Sequence, residues 1–505
     1  MAAADSDIVS DSASPQQIRR RPAASSRHMY DVSDNDSPQR IRRRPAASNS
    51  HTRDDSESHV DSSDDSADAT VTPREVVSSN ADEFVAWALN KVKDVCEAIQ
   101  RKCNGSVNLG TLCSGLDVAA IGARLMEKMW PSSVSGPPML FKHVFACEID
   151  EAKLKLSNAD VLWRDIVKVG SGTAVNERTH VSSPTLGCDV LVAGFVCKDF
   201  SLLNNSPTTW KSKHGKSGGT FFGVKNYVKR HTPLIVILEN VKAITSVREL
   251  HGSGMSPAHR ILNAFRDMGY DGGFEIINTQ DFGLPQRRNR CYFIFVYTGE
   301  PVASRTATHD PIAATAFSIV ARLMCSSMPL TDFLSGDAPT PKRQRQQTDV
   351  WKEKHAEFMA DVGIDEDEVL AMMSSDEFTR QPLHQRTKRQ LHLTAIRYVM
   401  MKKKGMNPFT TPMVLAIDQA CKRIPSSVGV CPCVTPRGQY WISNAGVLLT
   451  EYDKLAAQGV THAIQAEMGL DKQDHRLVGD MAGNAFSLSV INAVILGALG
   501  SWATR

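Results

Sequence analysis

The 505-residue chain has no long hydrophobic run. Its apolar stretches, such as Leu234 to Leu238, fall far short of the ~20 residues a helix needs to span a bilayer, so no membrane partner is expected. No secretory start is expected, since Asp5 and Asp7 stand where a basic residue and then an apolar core would be required. Eleven cysteines are present. Being odd in number, irregularly spaced and without that signal, they are expected to stay reduced and to form no disulfide framework. Aromatic residues make up 7% of the chain and hardly one precedes Phe84. The first 80 residues therefore lack the apolar area to offset the entropy of ordering. A complete GxGxxG fingerprint is missing as well, which counts against a dinucleotide enzyme.

Neither sign of charge dominates, with 58 Lys+Arg against 55 Asp+Glu. Residues 1–80 hold 10 basic and 14 acidic side chains, so the remainder carries 48 against 41. That modest basic excess is compatible with a nucleic-acid partner. The tail contains a duplication: SPQQIRRRPAAS, from Ser14 to Ser25, recurs as SPQRIRRRPAAS from Ser37 to Ser48. Its triplets Arg19–Arg21 and Arg42–Arg44 suit either import signals or non-specific phosphate contacts, or belong to a solvated linker.

From Ala81 to Arg101 the spacing of Phe84, Ala88, Val92, Val95 and Ile99 predicts one amphipathic helix. Apolar, β-branched runs then alternate with helical stretches. VNLGTLC, HVFACEI, DVLVAGF, LIVILEN and CYFIFVY read as buried strands. The pattern predicts an α/β fold, a doubly wound sheet with helices on both faces, over residues 81–300. Residues 301–440 are irregular, with helical pieces and basic clusters. Residues 441–505 regain helical periodicity.

Ligands of open α/β sheets sit beyond the carboxyl ends of strands. The first candidate strand ends in Cys113-Ser114-Gly115-Leu116-Asp117 and the second at Glu148, followed by Ile149. A carboxylate at that second position can accept from both hydroxyls of a ribose. Asp165 closes the short segment LWRDI. Alone, each of these is most often a cap or turn residue. After the strand DVLVAG comes Cys197, within GFVCKDFS, where Lys198 favours a thiolate; a buried structural thiol is the bland alternative. Glu239, 42 residues on, emerges from an apolar strand and is followed by Asn240. A carboxylate in that setting is costly without a task or a partner. Gln286, Arg288 and Arg290 share one face of an extended segment leading into CYFIFV.

Taken together and in this order, the segments resemble the cytosine-5 methyltransferase family. LCSGL, ACEID, WRDI, GF-x-C-x-x-FS, ENV and QRRNR follow the family sequence of motifs, with Ser217-Gly218-Gly219-Thr220-Phe221 between them. LLTEYDKLAAQGV, with Asp453 at its acidic position, and Gly483-Asn484-Ala485-Phe486 resemble the terminal motifs. The resemblance covers roughly residues 104–300 and 440–500. It implies a Rossmann-like methyltransferase sheet with a smaller target-recognition region at 301–440. It also implies S-adenosylmethionine as cofactor, cytosine in double-stranded DNA as substrate, and no metal.

The same resemblance implies roles. Cys197 would add to carbon 6 of a flipped-out base, Glu239 would hydrogen-bond its ring nitrogen 3, and Arg288 would hold the base. Ser201, Asn240, Gln286 and Arg290 would contact the substrate. Ser114, Gly115, Leu116, Glu148, Ile149, Asp165 and Asn484 would line the cofactor pocket. Lys388, Arg389, Arg397 and Lys402–Lys404 are candidates for phosphate contacts. Nuclear localisation is expected from such a substrate, the Arg triplets and the weaker cluster Lys342–Arg345.

The chain departs from the family in places. Val196 and Lys198 replace proline and glutamine around the cysteine, Cys113 and Asp117 replace phenylalanine and glycine, and an arginine is missing near Val447. Cys431-Pro432-Cys433 lacks a second ligand pair at zinc spacing and reads as structural. RNA as substrate, and a catalytically silent DNA-binding regulator, remain open alternatives; a nicotinamide enzyme is disfavoured.

Overall fold

The computed structural model describes residues 75–196, 216–247, 254–299, 311–336, 350–423 and 426–505. The duplicated tail segment, Lys198, Ser201 and the Lys342–Arg345 cluster lie outside these residues.

A seven-stranded sheet is built from β1 (Ser106–Leu112), β2 (Leu140–Cys147), β3 (Val161–Trp163), β4 (Val190–Ala193), β5 (Ile235–Val241), β6 (Tyr270–Asn278) and β7 (Asn289–Tyr297). Their order across the sheet is β3-β2-β1-β4-β5-β7-β6. The first five pair in parallel, and β7 runs antiparallel to both β5 and β6. All five strand-like runs found in the sequence lie in this sheet. Continuous apolar character has a direct cause: Ile235 and Ile237 enter the core on one face, Val236 and Leu238 the core on the other. The chain leaves β1 toward β3, then returns to the opposite side of β1 at β4. That reversal opens a crevice at the strand carboxyl ends.

Strand β6 was not legible as such, because Asp271, Gly272, Gly273 and Glu275 interrupt its apolar pattern. Gly272 is required there, since a Cβ would lie 1.9 Å from the Ile294 carbonyl oxygen on β7.

Helices cover both faces, as expected. On one lie α1 (Ala81–Lys91), α2 (Lys93–Cys103) and α3 (Val118–Met129); on the other, α4 (Lys216–His231) and α5 (Pro257–Arg266). The single helix expected over 81–101 is two helices, broken at Val92, whose backbone leaves the helical region at φ −120° and ψ 37°. The apolar period runs unbroken across the kink, so both helices still bury Phe84, Ala88, Val95 and Ile99.

The irregular segment beginning at 301 does not act as one piece. Helix α6 (Pro311–Arg322) packs into the main core, with Ala316 fully buried against the terminal helix. A second core lies between α7 (Val350–Val362), α8 (Glu366–Ser374), α9 (Lys388–Lys403) and a small antiparallel sheet. That sheet has order β9-β8-β10-β11, from β8 (Met413–Ala416), β9 (Ser426–Val428), β10 (Tyr440–Ile442) and β11 (Val447–Leu448). Met413 and Leu415 face the second core while Val414 and Ala416 face the first, so the small sheet is the wall between them.

The chain then returns through α10 (Glu451–Ala456), α11 (His475–Asn484) and α12 (Leu488–Ala503). Helix α12 is apolar all round because Leu488 to Ser501 are all buried. Gly497 lets α6 approach: an added Cβ would lie 2.6 Å from the Ala316 carbonyl oxygen. Gly497→Val is therefore expected to lower stability by about 1–3 kcal/mol, read as a lower urea midpoint with an unchanged slope. An unaltered midpoint would mean that α6 does not pack there.

Candidate functional site

At the carboxyl end of β1 the backbone turns back on itself through positive φ at Cys113 (53°), Gly115 (56°) and Asp117 (64°). Nothing lies within 4 Å of where a Gly115 Cβ would stand, so this loop borders open space. Asp117 adopts the left-handed conformation that a glycine takes without strain, which short polar side chains also tolerate. Its carboxylate accepts from Ser157 Oγ at 2.9 Å. Burial pushes the Cys113 thiol up to about 12, so it is an inert filler.

Glu148, at the end of β2, ties two loops together. One oxygen accepts from the Gly115 N–H at 2.9 Å and the other from the Asp150 N–H at 3.0 Å. A carboxylate has about four lone-pair sites, leaving capacity for two further donors. Ile149 beside it is 70% exposed, an apolar face with room for a planar ring. Asp165 is exposed and caps the next short helix, accepting from the Val167 N–H at 2.8 Å. Asn484 ends α11, its amide donating to the Asp480 carbonyl at 2.9 Å. An ion pair from Lys153 to Asp480 joins the helix after Glu148 to α11. Ser114 and Leu116 are buried within the loop. Glu148, Ile149 and the Gly115 loop are thus brought together, with α11 tied alongside.

The second cluster lies one strand further along. Register pairs Tyr292 on β7 with Glu239 on β5, which makes Arg290 the diagonal neighbour of Glu239. Arg290 Nε reaches Glu239 Oε1 at 3.1 Å, with side chains 15% and 13% exposed. Burial holds the Glu239 carboxyl above the usual range, against the opposing charges of Arg290 and Arg288. Three motifs meet here. A Cβ on Gly194 would lie 2.9 Å from the Phe486 ring and 3.7 Å from Glu239 Oε2. Cys197 itself lies outside the described residues, three positions beyond Gly194. The last described residues before it are held by Asn240, whose amide donates to the Phe195 carbonyl at 3.1 Å.

The structure redistributes the expected roles of the arginine segment. Arg288 is buried, and its guanidinium is spent on backbone: it donates to Val434 O at 3.2 Å, Ala485 O at 2.9 Å and Gly483 O at 3.4 Å. Among the described residues it holds the returning chain, whereas Arg290 is the arginine that meets Glu239. Gln286 is equally committed, donating to Ala457 O at 3.4 Å and accepting from the Val434 N–H at 3.4 Å. Asn240 is 1% exposed, its amide committed to the Phe195 carbonyl. Alternation placed these residues on one face correctly, but that face meets the C-terminal segment.

Among the basic candidates of the second core, Arg389 donates to Ile417 O and Gln419 O, and Arg397 to Cys421 O. Lys403 pairs with Glu368 at 2.8 Å. Lys388, Lys402 and Lys404 remain exposed. Cys433, expected to be structural, has a sulfur that accepts from Arg288 and Arg290, each at 3.6 Å. Its CPC motif was visible; its distance from the arginine segment in the chain concealed the contact.

A family model described as C-5 cytosine-specific DNA methylase matches residues 108–417. The chain is 24% identical over 440 residues to "DNA (cytosine-5-)-methyltransferase DMT5" of Cryptococcus neoformans var. grubii, covering 81% of this chain and 18% of that protein. It is 35% identical over 106 residues to "Type II methyltransferase M.NgoBI" of Neisseria gonorrhoeae, covering 21% of this chain and 31% of that one. It thus spans less than a third of the length of these relatives. A crystal structure of S. pombe Dnmt2 methyltransferase aligns over 78% of this chain and 98% of that one, with 12% identity and TM-score 0.41.

Two predictions separate the buried charges. Arg288→Lys leaves backbone carbonyls without donors and is expected to cost about 2–4 kcal/mol in denaturant unfolding, whereas Arg290→Lys should stay within about 1 kcal/mol. Equal losses would contradict the division of roles. Because Glu239 binds its proton more tightly folded than an unfolded glutamate does, the stability it contributes is full below about pH 4.3 and is lost as pH rises above that. Glu239→Gln should therefore melt above wild type at pH 7, the gap closing toward about pH 4. A lower melting point at pH 7 would show that attraction to Arg290, and not burial, dominates.

Proposed function

Because the chain belongs to the C-5 cytosine-specific DNA methylase family, we propose that it methylates carbon 5 of cytosine in DNA. The observation that carries this reading is the buried Glu239–Arg290 pair at the strand ends, beside the start of the Cys197 loop. S-adenosylmethionine would supply an electrophilic methyl group. Residues able to hold it are Glu148 for the ribose hydroxyls, Ile149 for the adenine face, Asp165 for the adenine amine and Asn484 from α11. The Ser114–Leu116 backbone would hold the methionine end, where the open space over Gly115 gives room.

Cytosine carbon 5 is too weak a nucleophile to take a methyl group unaided. The Cys197 thiolate adds to carbon 6, moving the ring π electrons onto carbon 5. Ring nitrogen 3 becomes more basic as this happens. Glu239, whose burial favours its protonated form, shares its proton with that nitrogen and stabilises the adduct. Arg290 fixes the carboxyl group in place. After methyl transfer a base takes the carbon 5 proton, the double bond re-forms and the thiolate leaves.

The target base must leave the helical stack first, at a few kcal/mol. Exposed Lys388 and Lys402 on α9, and Lys404 just beyond its end, are suited to the phosphate contacts that position a duplex. The expected nuclear location rests on this substrate and on Arg19–Arg21 and Arg42–Arg44.

The test is methyl transfer from labelled S-adenosylmethionine to duplex DNA and to total RNA in parallel. Wild type is expected to label DNA, with Cys197→Ala and Glu239→Gln down at least about 100-fold. Glu148→Ala is expected to weaken cofactor binding by roughly 10- to 100-fold, about the worth of one charge-assisted hydrogen bond. Labelling of RNA alone would move the substrate class. Intact cofactor binding with no labelling of either would favour a silent regulator.

A further inference from the structure

The CPC segment holds a second cysteine directly behind the reactive pair. Residues Cys431 and Pro432 run parallel to Gln286 and Arg287, with the Cys431 N–H donating to Pro285 O at 2.7 Å. This short pairing delivers the next residue, Cys433, between two guanidinium groups. Arg288 Nη1 and Arg290 Nη2 each donate to its sulfur at 3.6 Å. Its carbonyl accepts from the Tyr440 hydroxyl at 2.9 Å, which fixes the backbone on the far side. A sulfur placed this way is constrained from both ends.

Burial alone would push the Cys433 thiol up. The charges of Arg290 and Arg288 and their hydrogen bonds outweigh it and bring the thiol below its ordinary range. Seven other described cysteines are shifted the other way. Other titratable groups facing it do not offer the same charge: burial pushes Cys431 and Tyr440 up, so both stay neutral. Glu239 sits across Arg290 from the sulfur.

We propose that Cys433 is a positioning residue of the catalytic pair: its sulfur, wedged between the two guanidinium groups and accepting from both, fixes Arg290 toward Glu239. This rests on the methyltransferase reading of the site. The guanidinium is planar and its donors diverge at fixed angles. With Nη2 held by the sulfur, Nε stays aimed at the Glu239 oxygen. Arg290 Nη1 also donates to the Asn289 carbonyl at 2.9 Å, so a side chain at 433 that holds Nη2 less firmly would loosen one end of a guanidinium anchored at the other, and shift its Nε relative to the carboxyl group. The same sulfur binds Arg288, so the clamp on the returning chain and the orientation of Glu239 are one unit.

A readout independent of activity tests the charge. Thiolate absorbance near 240 nm is titrated in full-length Cys197→Ala and in Cys197→Ala with Cys433→Ser. The single variant is expected to show one thiolate forming below the ordinary ~8.5 of a free cysteine, and the double variant to lack it. Identical titrations overturn the proposal, whatever the protein does to DNA.

Positioning is tested by steady-state kinetics with Cys197 intact. Cys433→Ser is expected to lower kcat by roughly 10- to 100-fold, as a misplaced catalytic group does, with KM for the cofactor unchanged. Cys433→Asp, which restores a negative charge, is expected to recover most of that loss. Equal kcat in wild type and Cys433→Ser, or an aspartate variant no better than serine, overturns the positioning role.

Discussion

The buried guanidinium of Arg288 is the constraint on which the rest of the site depends. It lies in an extended segment of the main sheet, yet its partners are carbonyls at Val434, Gly483 and Ala485. Each charge-assisted bond of this kind contributes about 1.5–3 kcal/mol. Together they offset the cost of removing a cation from water, and only in one arrangement of the three segments. That arrangement places Phe486 against Gly194, Asn484 at the end of α11 near the Glu148 loop, and Cys433 against Arg290. A site assembled from residues nearly 400 positions apart, from Cys113 to Phe486, is thereby closed by one side chain.

Sheet and site follow from the same topology. Parallel strands buried on both faces must end somewhere, and two of the candidate site carboxylates stand at or near their carboxyl ends. Glu148 ends β2 and Glu239 lies near the end of β5, two carboxylates in different surroundings. Glu148 accepts from two backbone N–H groups and retains free lone pairs, which suits a group that binds hydroxyls. Glu239 is desolvated and holds its proton more tightly, which suits a group that exchanges one. Burying Glu239 destabilises its charged form, and the surrounding core, with Tyr292 and Phe486 packed close by, tolerates that cost. Reactivity is maintained by stability supplied elsewhere.

Much of this was legible in the sequence. Strands β1, β2, β4, β5 and β7 stand out because burial on both faces demands continuous apolar residues. Strand β6 does not, since its glycines serve the close approach of β7 and leave no apolar period. Val92 breaks a helix without breaking its period, so the kink is invisible to periodicity. For the site, alternation puts Gln286, Arg288 and Arg290 on one face but cannot say which of them meets Glu239. That is decided by the register of β7 on β5, a tertiary fact. Arg389 and Arg397 illustrate the same limit: a basic residue on a helix is indistinguishable in sequence from one donating to a neighbouring loop. Cys433 lay in a recognised motif, but its partners are some 145 residues away.

In the proposed mechanism, Cys197 and the Glu239–Arg290 pair together activate a cytosine by covalent addition. The most direct measurement uses duplex DNA carrying 5-fluorocytosine at target sites, with S-adenosylmethionine present. Fluorine cannot leave carbon 5 as a proton does, so an adduct that has been methylated stays bound to the protein. The account predicts a denaturation-resistant protein–DNA complex for wild type, absent for Cys197→Ala and strongly reduced for Glu239→Gln. A wild-type protein that methylates the unmodified duplex but leaves no such complex, or a complex that persists in Cys197→Ala, would contradict it.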